Sequence, residues 1–267
     1  MTLNIKPYYQ NGGVTLFHAD WSAILPCLES ESVDCVLTDP PFGIDYQNNY
    51  THNPHHKLAG DSGPFSYKPF AEQCFRLQKD GTAFFGYTGW SEYPSHFGDV
   101  RAAGFLVKEP LIVQKRPSGK TDLHGSFQSN ADWLIFAAKG RFTFRQTQLV
   151  KNKKAGVVPN KGRKPVPEFK TRLPACWFGE GYPWSTENPA TNPDHRHPTR
   201  KTVELMTWLL SLSTDINDLV LDPFAGSGTT LLAARQTGRR AVGVEIEERY
   251  CELVARRLDE VGVLVDG

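Results

Sequence analysis

Apolar residues in this chain come in short runs separated by amphipathic stretches. Residues 14–18, 33–38, 82–87, 105–114 and 133–138 are rich in β-branched and aromatic side chains and predict strands, while residues 21–28 suit a helix. From about residue 140 to 195 the periodicity fades into Lys, Arg, Pro, Gly, Trp and Asn, a composition ill suited to a core. Regular patterning resumes at Thr202, with Val203, Met206, Trp208, Leu209 and Leu210 on a helix. A strand at 218–222, a helix at 229–236, a strand at 241–245 and a helix at 248–261 follow. Strand and helix in alternation predict an α/β fold, a doubly wound and mostly parallel sheet covered on both faces.

With 267 residues the chain can bury a sizeable core, and nothing in it approaches the ~20 consecutive apolar residues of a membrane helix. Residues 1–13 are polar and lack an apolar signal core, so a cytoplasmic protein with no membrane partner is expected. The five cysteines, at 27, 35, 74, 176 and 251, contain no Cys-x-x-Cys pair and read as reduced thiols. Net charge is +1, but it is unevenly placed. Residues 139–172 hold eleven Lys and Arg against the single acid Glu168, which leaves −9 on the rest of the chain. A basic segment on an acidic body points to nucleic acid.

Two turns carry candidate chemistry. Leu219-Val220-Leu221-Asp222 runs into Pro223-Phe224-Ala225-Gly226-Ser227-Gly228-Thr229-Thr230 and then an Ala/Leu-rich helix. Paired glycines at a strand-to-helix turn let a ligand approach the backbone, and the helix start offers amide donors. Glu245 ends the next strand, 17 residues after Gly228, near where a ribose-binding acid stands in dinucleotide folds. The turn lacks the third glycine of an NAD site and the Gly-Lys-Thr of a phosphate loop, so neither a dehydrogenase nor an ATPase is favoured.

The second turn is Asp39-Pro40-Pro41-Phe42-Gly43, at the carboxyl end of the strand over 33–38. That end of a parallel sheet is where ligands bind. The two prolines stiffen the backbone and present carbonyls without amide hydrogens, Asp39 adds a carboxylate acceptor, and Phe42 adds a flat apolar face. Acceptors beside a stacking ring suit a planar base with an exocyclic amine. Such an amine is a poor nucleophile, and hydrogen bonds from it to Asp39 and to the Pro40 carbonyl would pull it toward tetrahedral geometry.

These two turns resemble those of the β-type, permuted DNA amino methyltransferases that use S-adenosylmethionine, a family of N6-adenine and N4-cytosine enzymes. Asp39-Pro40-Pro41-Phe42 matches the catalytic signature, with phenylalanine in place of the more usual tyrosine, and 222–228 matches the cofactor signature. The catalytic turn precedes the cofactor turn by about 180 residues, which is the permuted order. His197-Pro198-Thr199-Arg200-Lys201 is similar to the family's His-Pro-Thr-x-Lys-Pro, with Thr202 where the final proline is usual. The resemblance implies a methyltransferase Rossmann-like fold divided into a catalytic half (1–139), a target-recognition insert (140–195) and a cofactor-binding half (196–267). It further implies that Asp39 and Pro40, braced by Pro41, activate the amine and that Phe42 stacks on the flipped base. Asp20 then meets the cofactor's adenine, Glu245 its ribose, and Asp222, Phe224, Gly226, Gly228 and Thr229 line the methionine end. His197, Thr199 and Lys201 complete the pocket.

The implied activity is methyl transfer from S-adenosylmethionine to an adenine N6 in double-stranded DNA. Asp39 favours adenine over cytosine-N4, whose signature usually begins with serine. A catalytically silent DNA-binding module on the same fold and an RNA substrate are the rival readings. Enzymes of this kind are often homodimers and can be paired with a cognate restriction nuclease. A base within a duplex is out of reach of Asp39, so it must be extruded, and the basic segment with Trp177, Tyr182, Trp184 and Asn188 is expected to hold the surrounding duplex. His52, His55 and His56 have no acid or cysteine beside them and read as a loop over the site, with no metal expected. Pro26-Cys27 resembles the nucleophile of cytosine-carbon methyltransferases but lies in an apolar helical stretch and reads as core. Trp90 and Tyr93 suit either a base pocket or the core.

Overall fold

The computed structural model describes residues 5–41, 65–114, 131–145, 176–177 and 201–261. Its strands, in chain order, are β1 (Tyr9–Asn11), β2 (Val14–His18), β3 (Val33–Thr38), β4 (Gln78–Thr88), β5 (Leu106–Val107), β6 (Leu111–Gln114), β7 (Ala131–Lys139), β8 (Cys176–Trp177), β9 (Leu219–Asp222) and β10 (Arg240–Glu245). The helices are α1 (Trp21–Ile24), α2 (Tyr67–Leu77), α3 (Tyr93–Ala102), α4 (Val203–Ser213), α5 (Thr229–Gln236) and α6 (Glu248–Glu260). The described strands form one sheet in the order β1-β2-β10-β9-β3-β4-β7-β6-β8, with β5 added beside β7. Neighbours from β2 through β4 run parallel, and β7 reverses direction against β4, β5 and β6. No described helix is long and apolar enough to cross a membrane.

Side chains that alternate along the central strands build a core on each face of the sheet. Cys35, Leu37, Ala83, Phe85 and Val220 face α4, α5 and α6, where Leu205, Leu209, Leu231 and Val254 are buried. Val36, Phe84, Leu221 and Val244 face α1 and α2, meeting Ile24, Phe70, Ala71 and Cys74. Every residue of β3 is buried, as expected of a strand covered on both sides. The first core continues past β7, because Phe142 and Phe144 pack beside Phe136 and the Arg145 amide donates to the Leu212 carbonyl at 2.9 Å. The loss of periodicity near residue 140 therefore does not mark the edge of the core.

Two expected elements change form. The run over 105–114 splits into β5 and β6, with Pro110, which has no amide to give a ladder, between them. The stretch over 21–28 is one turn of α-helix followed by a 3-10 turn at Leu25–Cys27, and Cys27 is only half-buried there. Cys35, Cys74 and Cys251 are buried free thiols.

Candidate active site

Because β2, β10, β9, β3 and β4 are parallel neighbours, their carboxyl ends line one edge of the sheet. Four acids stand along that edge: Asp20 after β2, Glu245 ending β10, Asp222 ending β9 and Asp39 after β3. The backbone folds each into place. Asp20 caps α1, its carboxylate accepting the Ser22 amide at 2.8 Å. Glu245 accepts the amides of Gly226 at 2.7 Å and Glu247 at 2.8 Å, so it braces the glycine turn from the neighbouring strand. Each of its oxygens keeps a second lone pair able to accept a hydroxyl.

The glycine turn takes a tight course. The Ala225 amide donates to Val244 and the Gly228 amide to Ala225, at 2.9 and 2.7 Å. Gly226 and Gly228 both have positive φ, +50° and +77°, and Gly228 is the N-cap of α5. A Cβ on Gly228 would come within 2.7 Å of the Val254 side chain, so glycine is needed there for its backbone and for its size. Arg257 donates to the Ser227 carbonyl, and Thr229 is buried beside Ser227, with its hydroxyl 3.3 Å from that of Ser227. The half-buried Phe224 packs its ring edge-on against Phe65 and Phe70 at 5.4 and 5.3 Å.

A hydrogen bond joins the strand ends that carry the two turns: the Thr38 hydroxyl donates to Asp222 Oδ1 at 2.8 Å. Asp222 also accepts the Phe224 amide at 3.2 Å and a hydrogen bond from Thr230, yet burial outweighs these bonds and pushes its carboxyl up to about 6. The Asp39 charge adds to that rise. Burial likewise raises Glu245, with Asp222 contributing. Asp222 and Glu245 are buried with raised proton affinity, Asp39 is half-buried and Asp20 exposed, and such a row of carboxylate acceptors fits a ligand that presents an ammonium, a diol and an amino group.

Pro40 is buried and Pro41 half-buried. Asp39 does not stand alone. The Lys201 ammonium lies 3.0 Å from Asp39 Oδ2 and 3.8 Å from Asp132 Oδ2 on β7, and 4.4 Å from the centroid of the Tyr87 ring. Lys201 is set by the residue after it. Thr202 caps α4, its hydroxyl accepting the Leu205 amide at 3.2 Å, which accounts for a threonine where the related motif has proline. The site thus includes Asp132 and Tyr87, which carry no sequence motif and are 93 and 48 residues from Asp39. Trp90 is 71% exposed on the turn after β4, while Tyr93 packs against Phe97 and Trp133. Phe42, the histidines at 52, 55 and 56, His197, Thr199, the bulk of the basic segment, and Tyr182, Trp184 and Asn188 lie outside the described residues, and Trp177 is described only as part of β8.

Known proteins resemble this chain in sequence and in fold. The profile of the DNA methylase family of N6/N4 methyltransferases matches residues 33–256. The Type II methyltransferase M2.DpnII of Streptococcus pneumoniae is 24% identical over 269 residues, covering 96% of this chain and 94% of its own. The DNA adenine methyltransferase YhdJ of Escherichia coli (strain K12) is 25% identical over 258 residues, 94% of this chain and 84% of its own. The solved structure of the PvuII DNA methyltransferase (cytosine-N4-specific) shares the fold, with a TM-score of 0.69 at 17% identity, covering 98% of this chain and 92% of that one.

Proposed function

The chain belongs to the DNA methylase family, and from that premise we propose that it is a site-specific DNA adenine-N6 methyltransferase that uses S-adenosylmethionine. The observation that carries this reading is the Thr38–Asp222 hydrogen bond, which ties the amine-activating turn to the cofactor turn on adjacent strands. When bound, S-adenosylmethionine supplies a methyl carbon on a cationic sulfonium; the amine nitrogen forms its bond to that carbon as the carbon–sulfur bond breaks and the electron pair stays on sulfur.

Each residue then has a role. Asp222 and the amides of the turn over 222–228 hold the methionine end, Glu245 takes the ribose hydroxyls, and Asp20 takes the adenine of the cofactor. Asp39 and the Pro40 carbonyl accept hydrogen bonds from the target amine, orient its lone pair at the methyl carbon, and favour the positive charge that develops on nitrogen. The surplus proton leaves by way of Asp39 to water. Phe42 stacks on the extruded base, and residues 140–195 form a target-recognition insert whose cations grip the phosphates. YhdJ, a relative named as an adenine enzyme, and the aspartate that opens the catalytic turn support adenine. The likeness of fold to a cytosine-N4 enzyme sustains a second reading, cytosine-N4 transfer.

Transfer of labelled methyl to duplex DNA, followed by digestion to nucleosides, tests both. The expected product is N6-methyl-2′-deoxyadenosine from the wild type, with loss of at least ~100-fold in Asp39→Ala, the lower range for removing positioned acid–base catalysis. Labelled N4-methyl-2′-deoxycytidine would favour the second reading, and equal transfer by wild type and variant would remove Asp39 from the chemistry.

A further inference from the structure

The resemblance to related enzymes gives Lys201 to the cofactor pocket, but the geometry points elsewhere. We infer that Lys201 is a positioning residue for the catalytic carboxylate, holding Asp39 ionised and oriented, with Asp132 sharing the ammonium. The inference rests on the proposed methyl transfer, since it concerns how Asp39 is kept ready for the amine.

Described groups around Asp39 come from β4, β7, β9, α2 and the residue before the α4 cap. Lys201 reaches it from the residue before the α4 cap, at 3.0 Å, with a side chain only 11% exposed. Asp132, on the amino end of β7, stands 3.8 Å from the same ammonium. Tyr87 of β4 presents its ring to that ammonium at 4.4 Å, a cation–π contact that adds a third hold. Asp222 of β9 and Tyr67 of α2 both feel the Asp39 charge. Three carboxylates therefore converge where a neutral amine must become cationic. Without a cation among them, like-charge repulsion and partial burial would favour protonating one, and a protonated Asp39 loses its acceptor. Lys201 counters this. Asp39, Asp132 and Lys201 together carry one net negative charge, the complement of the one positive charge that the amine acquires during transfer.

The contact to Asp132 makes the device adjustable in both directions. Removing the ammonium raises the proton affinity of Asp39, so transfer should fail at a higher pH. Removing the Asp132 charge takes away a negative charge and a rival for the ammonium and lowers that affinity, so transfer should persist to a lower pH. A lysine that only filled the cofactor pocket would produce neither shift.

The test is the single-turnover rate of methyl transfer from pH 5 to 9 in the full-length protein, with cofactor affinity measured alongside by calorimetry. In Lys201→Met the acid limb of the profile should move up by about one to two pH units, the size expected of an opposite charge removed from within ~4 Å. Lys201→Arg should restore it to within about half a unit, and Asp132→Asn should move it down. Cofactor affinity should change by less than about threefold in each, because the ammonium is held by Asp39, Asp132 and Tyr87 and acts on the cofactor turn only through the Asp39 charge felt at Asp222. An unmoved acid limb in Lys201→Met and Asp132→Asn overturns the inference, as does a tenfold loss of cofactor affinity with an unchanged limb. If Lys201→Met does not fold, the direction of the Asp132→Asn shift decides. Failure of the underlying function is distinguishable, because the wild type would then transfer no methyl, or Asp39→Ala would transfer as well as the wild type.

Discussion

Replacing Asp222 by asparagine should stabilise the protein while weakening its cofactor site. The side chain is 3% exposed, and burial lifts its carboxyl from an ordinary 3.8 to about 6. The native state therefore binds this proton more tightly than the unfolded chain does. By linkage the group costs nothing below pH 3.8, the cost develops as pH rises from there to about 6, and it reaches a plateau above, where both states are ionised. Two pH units correspond to about 3 kcal/mol at the plateau. Asparagine avoids that cost and keeps an acceptor for the Thr38 hydroxyl and the Phe224 amide, and the Thr230 hydroxyl can turn to accept from the new amide group. Imperfect replacement of those bonds offsets part of the gain, so about 1–2 kcal/mol should remain at pH 8. For a chain of this size that raises Tm by roughly 2–8 °C. Denaturant unfolding at pH 4.5, 6 and 8 measures it: the gap between variant and wild type should open with rising pH. Over the same range S-adenosylmethionine should bind the variant on the order of 10- to 100-fold more weakly, the loss of a charged hydrogen-bond partner. A gap that does not change with pH, or a variant less stable at pH 8, would show that burial of this carboxylate carries no such cost.

Two further outcomes are expected. Gly228→Ala forces a side chain onto a left-handed backbone, about 1 kcal/mol, and drives its Cβ to 2.7 Å from Val254, an overpacking of about 1–3 kcal/mol, so thermal melting should shift down by roughly 4–16 °C; combined with Val254→Ala the loss should be smaller than the sum of the two single variants. Raising salt from about 50 to 200 mM should weaken DNA binding by ~10-fold or more while leaving cofactor affinity nearly constant, because only the former releases counterions from many phosphates; equal loss of both in titrations would show that the cations over 139–172 serve another purpose.

Where a local rule decides the structure, the sequence is legible. β3 and α5 fall where their patterns put them, the first because a strand buried on both faces is a mostly apolar run, here interrupted at Asp34 and ended by Thr38, the second because its start is marked by glycine in a left-handed turn. α2 and α3 are less visible. Each carries a proline in its first turn, a position where the missing amide does no harm but which reads locally as a break. The same residue type at 110 does break a strand, because it stands between β5 and β6, both paired with β7, where a ladder calls for amides. Local sequence cannot tell these cases apart; the partner of the missing amide does.

The candidate site divides along the same line. Asp39, Asp222, Gly226, Gly228 and Glu245 are legible because turn geometry demands short, recognisable strings. The Lys201–Asp132 pairing is not, since it depends on which strand ends become neighbours once β7 reverses against β4. Strand order gathers Asp20, Glu245, Asp222 and Asp39 along one edge, a concentration of negative charge that no single motif reveals and that a folded chain must answer with ligand, proton or cation. At Asp222 the answer is a raised proton affinity. At Asp39 it is Lys201, delivered by the helix that Thr202 caps, so the threonine that departs from the related motif is part of how this chain places its cation.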